Sequence, residues 1–207
     1  MYRRTPLLEI YPERITENAR YVVDACHAHG ARVAGVGKVS CAHPAVIGAL
    51  VAGGVDEVAD SRILNLMKVA ELGTGLPQML LRIPAPSAAA DVVRCADVTL
   101  NASLPTLRSL SEAAGSAGVR HQVIVMVDIG DLREGVWPDK ATELVAAAAK
   151  LPHLDIVGMG ANLACYGGVI PSLENMQALV AVRDACREAS GLELPVLSGG
   201  NSSALPM

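Results

Sequence analysis

The sequence predicts an α/β protein built on a parallel sheet and, among parallel architectures, favours a (β/α)8 barrel of the TIM type. Three observations carry this expectation. Short runs rich in Val and Ile recur along the 207 residues, each followed by polar or glycine punctuation and then by a longer segment with helical spacing. One run, Val123-Ile124-Val125-Met126-Val127, is apolar at every position, the pattern of a parallel strand covered on both faces. Nearly every run also ends in a polar residue: Lys38, Asp60, Arg82, Asn101, Asp128, Asn162 and Ser198. Barrels and open doubly wound sheets both place their active sites at strand C-termini, and a ring of such groups favours the barrel. At each position except Lys38, an equal alternative is that the residue simply caps the next helix.

Seven strands are expected, over residues 32–37, 55–59, 79–83, 98–100, 122–129, 155–161 and 194–197. Ile15, Ala19, Val22 and Cys26 recur at helical steps and the segment stops at Gly30; Ile63, Leu66, Met67 and Ala70 form a second stripe that stops at Gly73. Pro171-Ser172 opens a third helix, with Leu173, Met176, Leu179, Val180 and Ala185 expected to face the core. Linkers are short and no low-complexity stretch marks a second domain, so residues 1–207 are expected to form one domain. Closure takes eight strands, and the chain stops just past the seventh at Leu205-Pro206-Met207. The barrel is therefore expected to be truncated after strand seven.

Composition narrows the function. The chain carries 17 Lys and Arg against 21 Asp and Glu, a net charge of −4 without a basic cluster, which argues against nucleic acid as a partner. Hydrophobic residues make up 51% and aromatic ones 2%, with no Phe, so the core must be aliphatic. No apolar run approaches the roughly 18 to 20 residues that span a bilayer, and the N-terminus lacks an apolar signal core. The five cysteines are widely spaced without a C-x-x-C pair, which suits reduced thiols in a cytoplasmic protein. The histidines form no metal-ligand pattern, and no metal site is expected.

Four segments could carry chemistry. Val33-Ala34-Gly35-Val36-Gly37-Lys38 ends an apolar strand in a lysine, and it is not a phosphate loop of the G-x-x-x-x-G-K-[ST] type, because Arg32 and Val39 occupy two of the required positions. A desolvated lysine there could form a Schiff base; on spacing alone, a lysine snorkelling to the surface is the favoured alternative. Ser198-Gly199-Gly200-Asn201-Ser202-Ser203 offers backbone N–H groups and side-chain donors suited to phosphate, where barrels usually bind it. In Val127 to Gly135, Arg133 could pin an anionic oxygen, or Asp131, Arg133 and Glu134 could be a solvated loop paired with itself. After the sixth strand, Asn162 and Tyr166 could touch a planar cofactor, while Cys165 reads as a buried thiol.

Together these stretches resemble the barrel of fold-type III pyridoxal-phosphate enzymes, and among them the alanine/ornithine racemase family. The resemblance rests on Gly35-Val36-Gly37-Lys38-Val39, Ala59-Asp60-Ser61-Arg62, Met126 to Gly135, Asn162-Leu163-Ala164-Cys165-Tyr166-Gly167-Gly168 and Ser198 to Ser203, and it runs over nearly the whole chain. It implies pyridoxal 5'-phosphate as the cofactor, held by Lys38 as an aldimine, with Arg133 near the cofactor's phenolic oxygen and the substrate carboxylate. Asn162 stands where alanine racemases place a histidine against the ring, and Ser202 or Ser203 would contact the phosphate. Ala42 stands where alanine racemases carry a tyrosine that reaches the phosphate, which argues against strict alanine specificity.

The implied activity is racemisation of a small amino acid by proton exchange at Cα, with Lys38 serving one face. In the family the other face is commonly served by a tyrosine from a C-terminal domain of a partner subunit, so the intact protein is expected to be a homodimer. The alternative is a non-catalytic pyridoxal-phosphate carrier on a similar barrel. A sugar-phosphate enzyme on a generic barrel lacks a supporting carboxylate pair.

Overall fold

The computed structural model describes residues 6–164 and 168–205. It contains two compact units, Met1–Met79 and Leu80–Met207. All seven expected strands are present: β1 Ala34–Val36, β2 Glu57–Asp60, β3 Gln78–Leu80, β4 Val98–Asn101, β5 His121–Met126, β6 Leu154–Gly160 and β7 Val196–Ser198. Their bounds differ from the expected runs by up to three residues: β1, β3, β5 and β6 stop short, whereas β2, β4 and β7 end one residue later, on Asp60, Asn101 and Ser198. The helices are α1 Pro12–His27, α2 Pro44–Ala52, α3 Ile63–Glu71, α4 Ala89–Cys95, α5 Leu104–Ala117, α6 Pro138–Ala148 and α7 Leu173–Ser190. None of them is long and apolar enough to cross a membrane. Strand order follows chain order without the reversal that a doubly wound sheet requires.

In the first unit β1 pairs in parallel with β2, Gly35 opposite Val58. Its core gathers Ala42, Ile47, Val58 and Val69, with Val51 and Leu76 packed alongside. Helix α1 starts with Pro12 in its first turn, where a missing N–H costs nothing. Helix α3 keeps most of the expected stripe: Leu66 is buried and Ile63 and Met67 are half-buried, but Val69 is buried where Ala70 was expected, and Ala70 is exposed. A one-residue ambiguity of this kind arises when adjacent positions of a short helix are both apolar.

The second unit is organised around β5. It pairs in parallel with β4, Leu100 opposite Ile124, and with β6, Val125 opposite Met159; β6 in turn pairs with β7, Met159 opposite Leu197. Val123 through Val127 are all buried, as the unbroken apolar run predicts. Leu107, Leu110 and Ala114 of α5 and Ala141 and Val145 of α6 are buried too, each large side chain contributing about 1.5–3 kcal/mol. Helix α5 is capped by the Ser103 hydroxyl and stops at Gly118, whose φ of +70° suits a residue without Cβ. Helix α7 opens with a reciprocal cap between Ser172 and Asn175. Its buried stripe is Leu179 and Cys186, with Met176 half-buried; Leu173, Val180 and Ala185, expected inside, are exposed. Met176 and Leu179 thus keep their expected facing, while Cys186 takes the inward position expected of Ala185.

The β6–β7 pairing admits no side chain at one point. A Cβ on Gly158 would lie 2.1 Å from the Val196 carbonyl oxygen and 2.6 Å from its Cβ. Gly158→Ala is expected to destabilise the protein by about 1–3 kcal/mol, read as a lower urea midpoint, because β7 must move away. A variant as stable as its parent would show that the two strands do not approach so closely.

A second expectation concerns pH. His121 is buried where β5 begins, its Nε2 3.2 Å from Thr99 Oγ1. Burial pushes it down to about 4, against the opposing pull of the Asp97 carboxylate. Between pH 6.5 and 4 the unfolded chain therefore binds a proton that the folded chain refuses, so stability falls as pH drops through that window, by about 3 kcal/mol in all. His121→Gln should flatten this part of the stability–pH curve; an unchanged slope would mean that the ring is not held neutral.

Candidate active site

Three of the polar residues at strand ends, Asp60, Asn101 and Asp128, bond to the turn that follows in the same way. Asp60 Oδ1 accepts from the N–H of Arg62 at 2.9 Å, Asn101 Oδ1 from Ser103 at 2.8 Å and Asp128 Oδ1 from Gly130 at 2.9 Å. This local bond ends the strand and aims the chain into the next element. These bonds close local turns and do not cap the following helices, whose N-caps are Arg62, Ser103 and Trp137, so the capping alternative does not hold for these three. Each turn uses only one side-chain atom, however. Asp60 Oδ2, Asn101 Nδ2 and Asn162 Nδ2 are buried without a hydrogen-bond partner among the described residues. Buried polar atoms are nearly always satisfied, so orphans at strand C-termini mark positions where a ligand can supply the missing partner.

In the first unit, Lys38 opens a single 3-10 turn, Lys38–Ser40, directly after β1. The lysine is half-buried, so it is neither a freely solvated surface residue nor a core one. Its turn is tied down: the Ser40 hydroxyl donates to the Gly37 carbonyl at 2.9 Å, and Lys68 Nζ donates to the Cys41 carbonyl at 3.3 Å. Cys41 and Ala42 both have left-handed backbones, φ 53° and 56°, which is unusual for two successive residues other than glycine. The His43 ring then accepts the Ala45 N–H and caps α2.

In the second unit, the segments after β5, β6 and β7 carry the other expected residues. Arg133 is half-buried, and its Nη2 lies 3.2 Å from Glu134 Oε2, while the other Glu134 oxygen lies 3.8 Å from Arg82 Nε. Glu134 thus holds two guanidinium groups in one cluster, as the self-paired alternative expects. Asp131, by contrast, is buried and not solvated. The loop after β7 is fastened to the end of β6: the Ala161 N–H donates to the Ser198 carbonyl at 2.8 Å, and Asn201 Nδ2 donates to the Leu163 carbonyl. Asn162 and the Ser198–Ser203 segment are therefore brought together.

Within that loop Asn201 is the organiser. Its Oδ1 accepts from the Ser203 N–H at 3.1 Å and from the Ser203 hydroxyl at 2.6 Å, holding the 3-10 turn Ser202–Ala204. Ser202 and Ser203 stand exposed. A Cβ on Gly200 would meet no atom within 4 Å, so the backbone there is open to a close approach. Tyr166 and Cys165 lie outside the described residues. Asp60 and Asn101 were visible in the sequence only as polar strand ends; no spacing signal separates a turn residue with a spare buried atom from a turn residue alone.

The family model for the alanine racemase N-terminal domain matches residues 10–207. The ornithine racemase of Acetoanaerobium sticklandii is 41% identical over 201 residues, covering 97% of this chain and 56% of that protein. The lysine racemase of Thermotoga maritima is 34% identical over 200 residues, with the same coverage of 97% and 56%. The chain thus spans a little over half the length of these relatives. Among solved structures, the alanine racemase of Corynebacterium glutamicum superposes with a TM-score of 0.77 at 21% identity, over 95% of this chain and 55% of that one. PipY of Synechococcus elongatus PCC7942, solved with PLP bound, gives a TM-score of 0.74 at 20% identity, over 93% of this chain and 91% of its own. The fold is accordingly of the α/β barrel class that the strand order indicates. On the family model and on the identity to two racemases, the chain belongs to the alanine racemase N-terminal domain family.

Proposed function

We propose that the protein is a pyridoxal 5'-phosphate-dependent racemase of a small amino acid, with diamino acids of the ornithine and lysine type ahead of alanine. The supporting observation is the 41% and 34% identity to an ornithine and a lysine racemase along 97% of the chain. The residues present fit the cofactor. Ser202, Ser203 and the Gly199–Gly200 backbone, held by Asn201 and anchored at Ser198, offer donors to a phosphate group. Asn162, with its unpartnered Nδ2, would meet the ring, and Tyr166 belongs to the same expected set. Lys38 would hold the cofactor covalently.

When bound, the pyridine ring supplies an electron sink that acidifies the Cα–H bond of an attached amino acid. The remaining work falls to side chains. Lys38 Nζ would exchange the Cα proton on one face, and inversion requires a second proton donor facing the other. Arg133 fixes an anionic oxygen of cofactor or substrate, with Glu134 holding the guanidinium in place. Leu132, Trp137, Ile170 and Leu173 stand exposed in the segments after β5 and β6. Apolar side chains left in water around a site suit burial against a second subunit, so the working form is proposed to be a cytoplasmic homodimer. The ligand set contains no metal, and neither membrane nor nucleic acid enters the scheme.

A non-catalytic cofactor-binding role is the second reading, because PipY, solved with PLP bound, shares this fold. One experiment separates the two. The protein is loaded with pyridoxal phosphate, reduced with borohydride and mapped by mass spectrometry, while a parallel sample is followed for deuterium wash-in at Cα of ornithine, lysine and alanine. The racemase reading expects the label on Lys38 and exchange that Lys38→Ala abolishes, faster for the diamino acids. A label on Lys68, Lys140 or Lys150 alone would overturn the Lys38 assignment. A label on Lys38 without exchange from any amino acid would favour the carrier.

A further inference from the structure

Asp60 has more burial than its turn explains. It lies at the end of β2 with no exposed surface, and its Oδ1 already accepts two hydrogen bonds, from the Arg62 N–H at 2.9 Å and from Asn65 Nδ2 at 3.0 Å. Those two bonds complete the turn into α3. The second oxygen, Oδ2, is equally buried and has no hydrogen-bond donor among the described residues. A carboxylate oxygen withdrawn from water without a donor is costly, and removing the charge would lose nothing that the turn requires, since an amide oxygen could accept the same two bonds. The position therefore implies a cationic partner that reaches Oδ2 in some states of the protein.

The surroundings of Oδ2 identify that partner. It faces the end of β1, where a Cβ built on Gly37 would lie 3.6 Å away. The Gly37 N–H donates to the Ala59 carbonyl at 2.9 Å, which locks the two strand ends side by side. The residue after Gly37 is Lys38, on a flexible four-carbon stem, and its amine makes no hydrogen bond or ion pair among the described residues. The other nearby cations are engaged or turned away: Lys68 donates to the Cys41 carbonyl, and the Arg62 side chain is exposed. A buried, unpaired carboxylate oxygen and an unpaired half-buried amine thus stand on adjoining strand ends.

We infer that Asp60 is the positioning residue of Lys38, its Oδ2 available to receive the lysine ammonium when the amine swings back from the cofactor. The inference deepens the reading of Lys38 as the cofactor lysine and rests on it for its functional meaning. Paired with Asp60, the Lys38 ammonium is held at the strand ends, so a released lysine stays beside the site instead of swinging into solvent.

The test is trace acylation of the cofactor-free chain with acetic anhydride at one fixed pH, each lysine being quantified by mass spectrometry against Lys140 and Lys150. An ion-paired ammonium is a poor nucleophile, so Asp60→Asn, which keeps an oxygen for Arg62 and Asn65 but removes the charge, should raise the relative labelling of Lys38 several-fold. Asn65→Ala loosens the same turn and leaves the carboxylate, and it should keep Lys38 near its wild-type labelling. Equal labelling in wild type and Asp60→Asn would overturn the pairing, as would an equal rise in Asn65→Ala. The outcomes stay separate from those for the cofactor. Borohydride trapping on another lysine would defeat the cofactor assignment and leave the labelling result standing, whereas equal labelling with trapping on Lys38 would defeat the pairing alone.

Discussion

Parallel pairing through β5 is the constraint on which the second unit depends. A parallel neighbour can be reached only by a crossover, so each strand from β4 to β6 must be followed by a return segment, and every strand must point the same way. One end of the sheet therefore collects all the strand C-termini, and with them Asn101, Asp128, Asn162 and Ser198. The chemistry of the unit is a consequence of that polarity. The close approach of Gly158 to Val196 adds a second consequence, because it lets β7 sit near enough for Asn201 to grip the Leu163 carbonyl. The phosphate-type loop owes its placement to a backbone contact several residues away.

Polar strand ends serve folding and ligand binding with the same residues. Asp60, Asn101 and Asp128 each use one oxygen to close a turn, a job for which any Asx residue suffices. What distinguishes Asp60 and Asn101 is the second side-chain atom, buried and unpaired. The fold gives up a fraction of its hydrogen bonding at this end while its core is saturated elsewhere. Val123 to Val127 bury every side chain, and the buried faces of α5 and α6 add aliphatic volume without a single Phe. Stability comes from the core, which leaves the strand ends free to carry incomplete polar groups.

The strands were legible in the sequence because a parallel strand buried on both faces writes an uninterrupted apolar run. Their C-termini were legible because the run stops at a polar residue. Helix phase was harder: α3 and α7 are apolar on more than one stripe, and the choice between Val69 and Ala70, or between Cys186 and Ala185, is made by packing that no single window contains. Lys38, Arg133 and the Ser198–Ser203 loop stood out by residue type and place. The role of Asn201 as the clamp between β6 and β7, and the orphaned oxygen of Asp60, depend on side-chain partners far apart in sequence and could not be read from it. The Arg133–Glu134 pair was expected as one alternative, and the structure shows that pairing with its neighbour is compatible with the arginine remaining half-buried.

The proposed function requires that Lys38 and the Ser198–Ser203 loop each contact an anionic, aldehyde-bearing cofactor. Hydrogen–deuterium exchange of the whole chain with and without saturating pyridoxal phosphate tests it most directly, because each backbone segment reports separately. The account predicts slower exchange on cofactor addition in residues 37–42 and 198–204, with no change in the turns that precede strands, residues 118–120 and 149–153. Protection confined to those preceding turns, or no protection at 37–42 and 198–204 under conditions where the cofactor is bound, would contradict it.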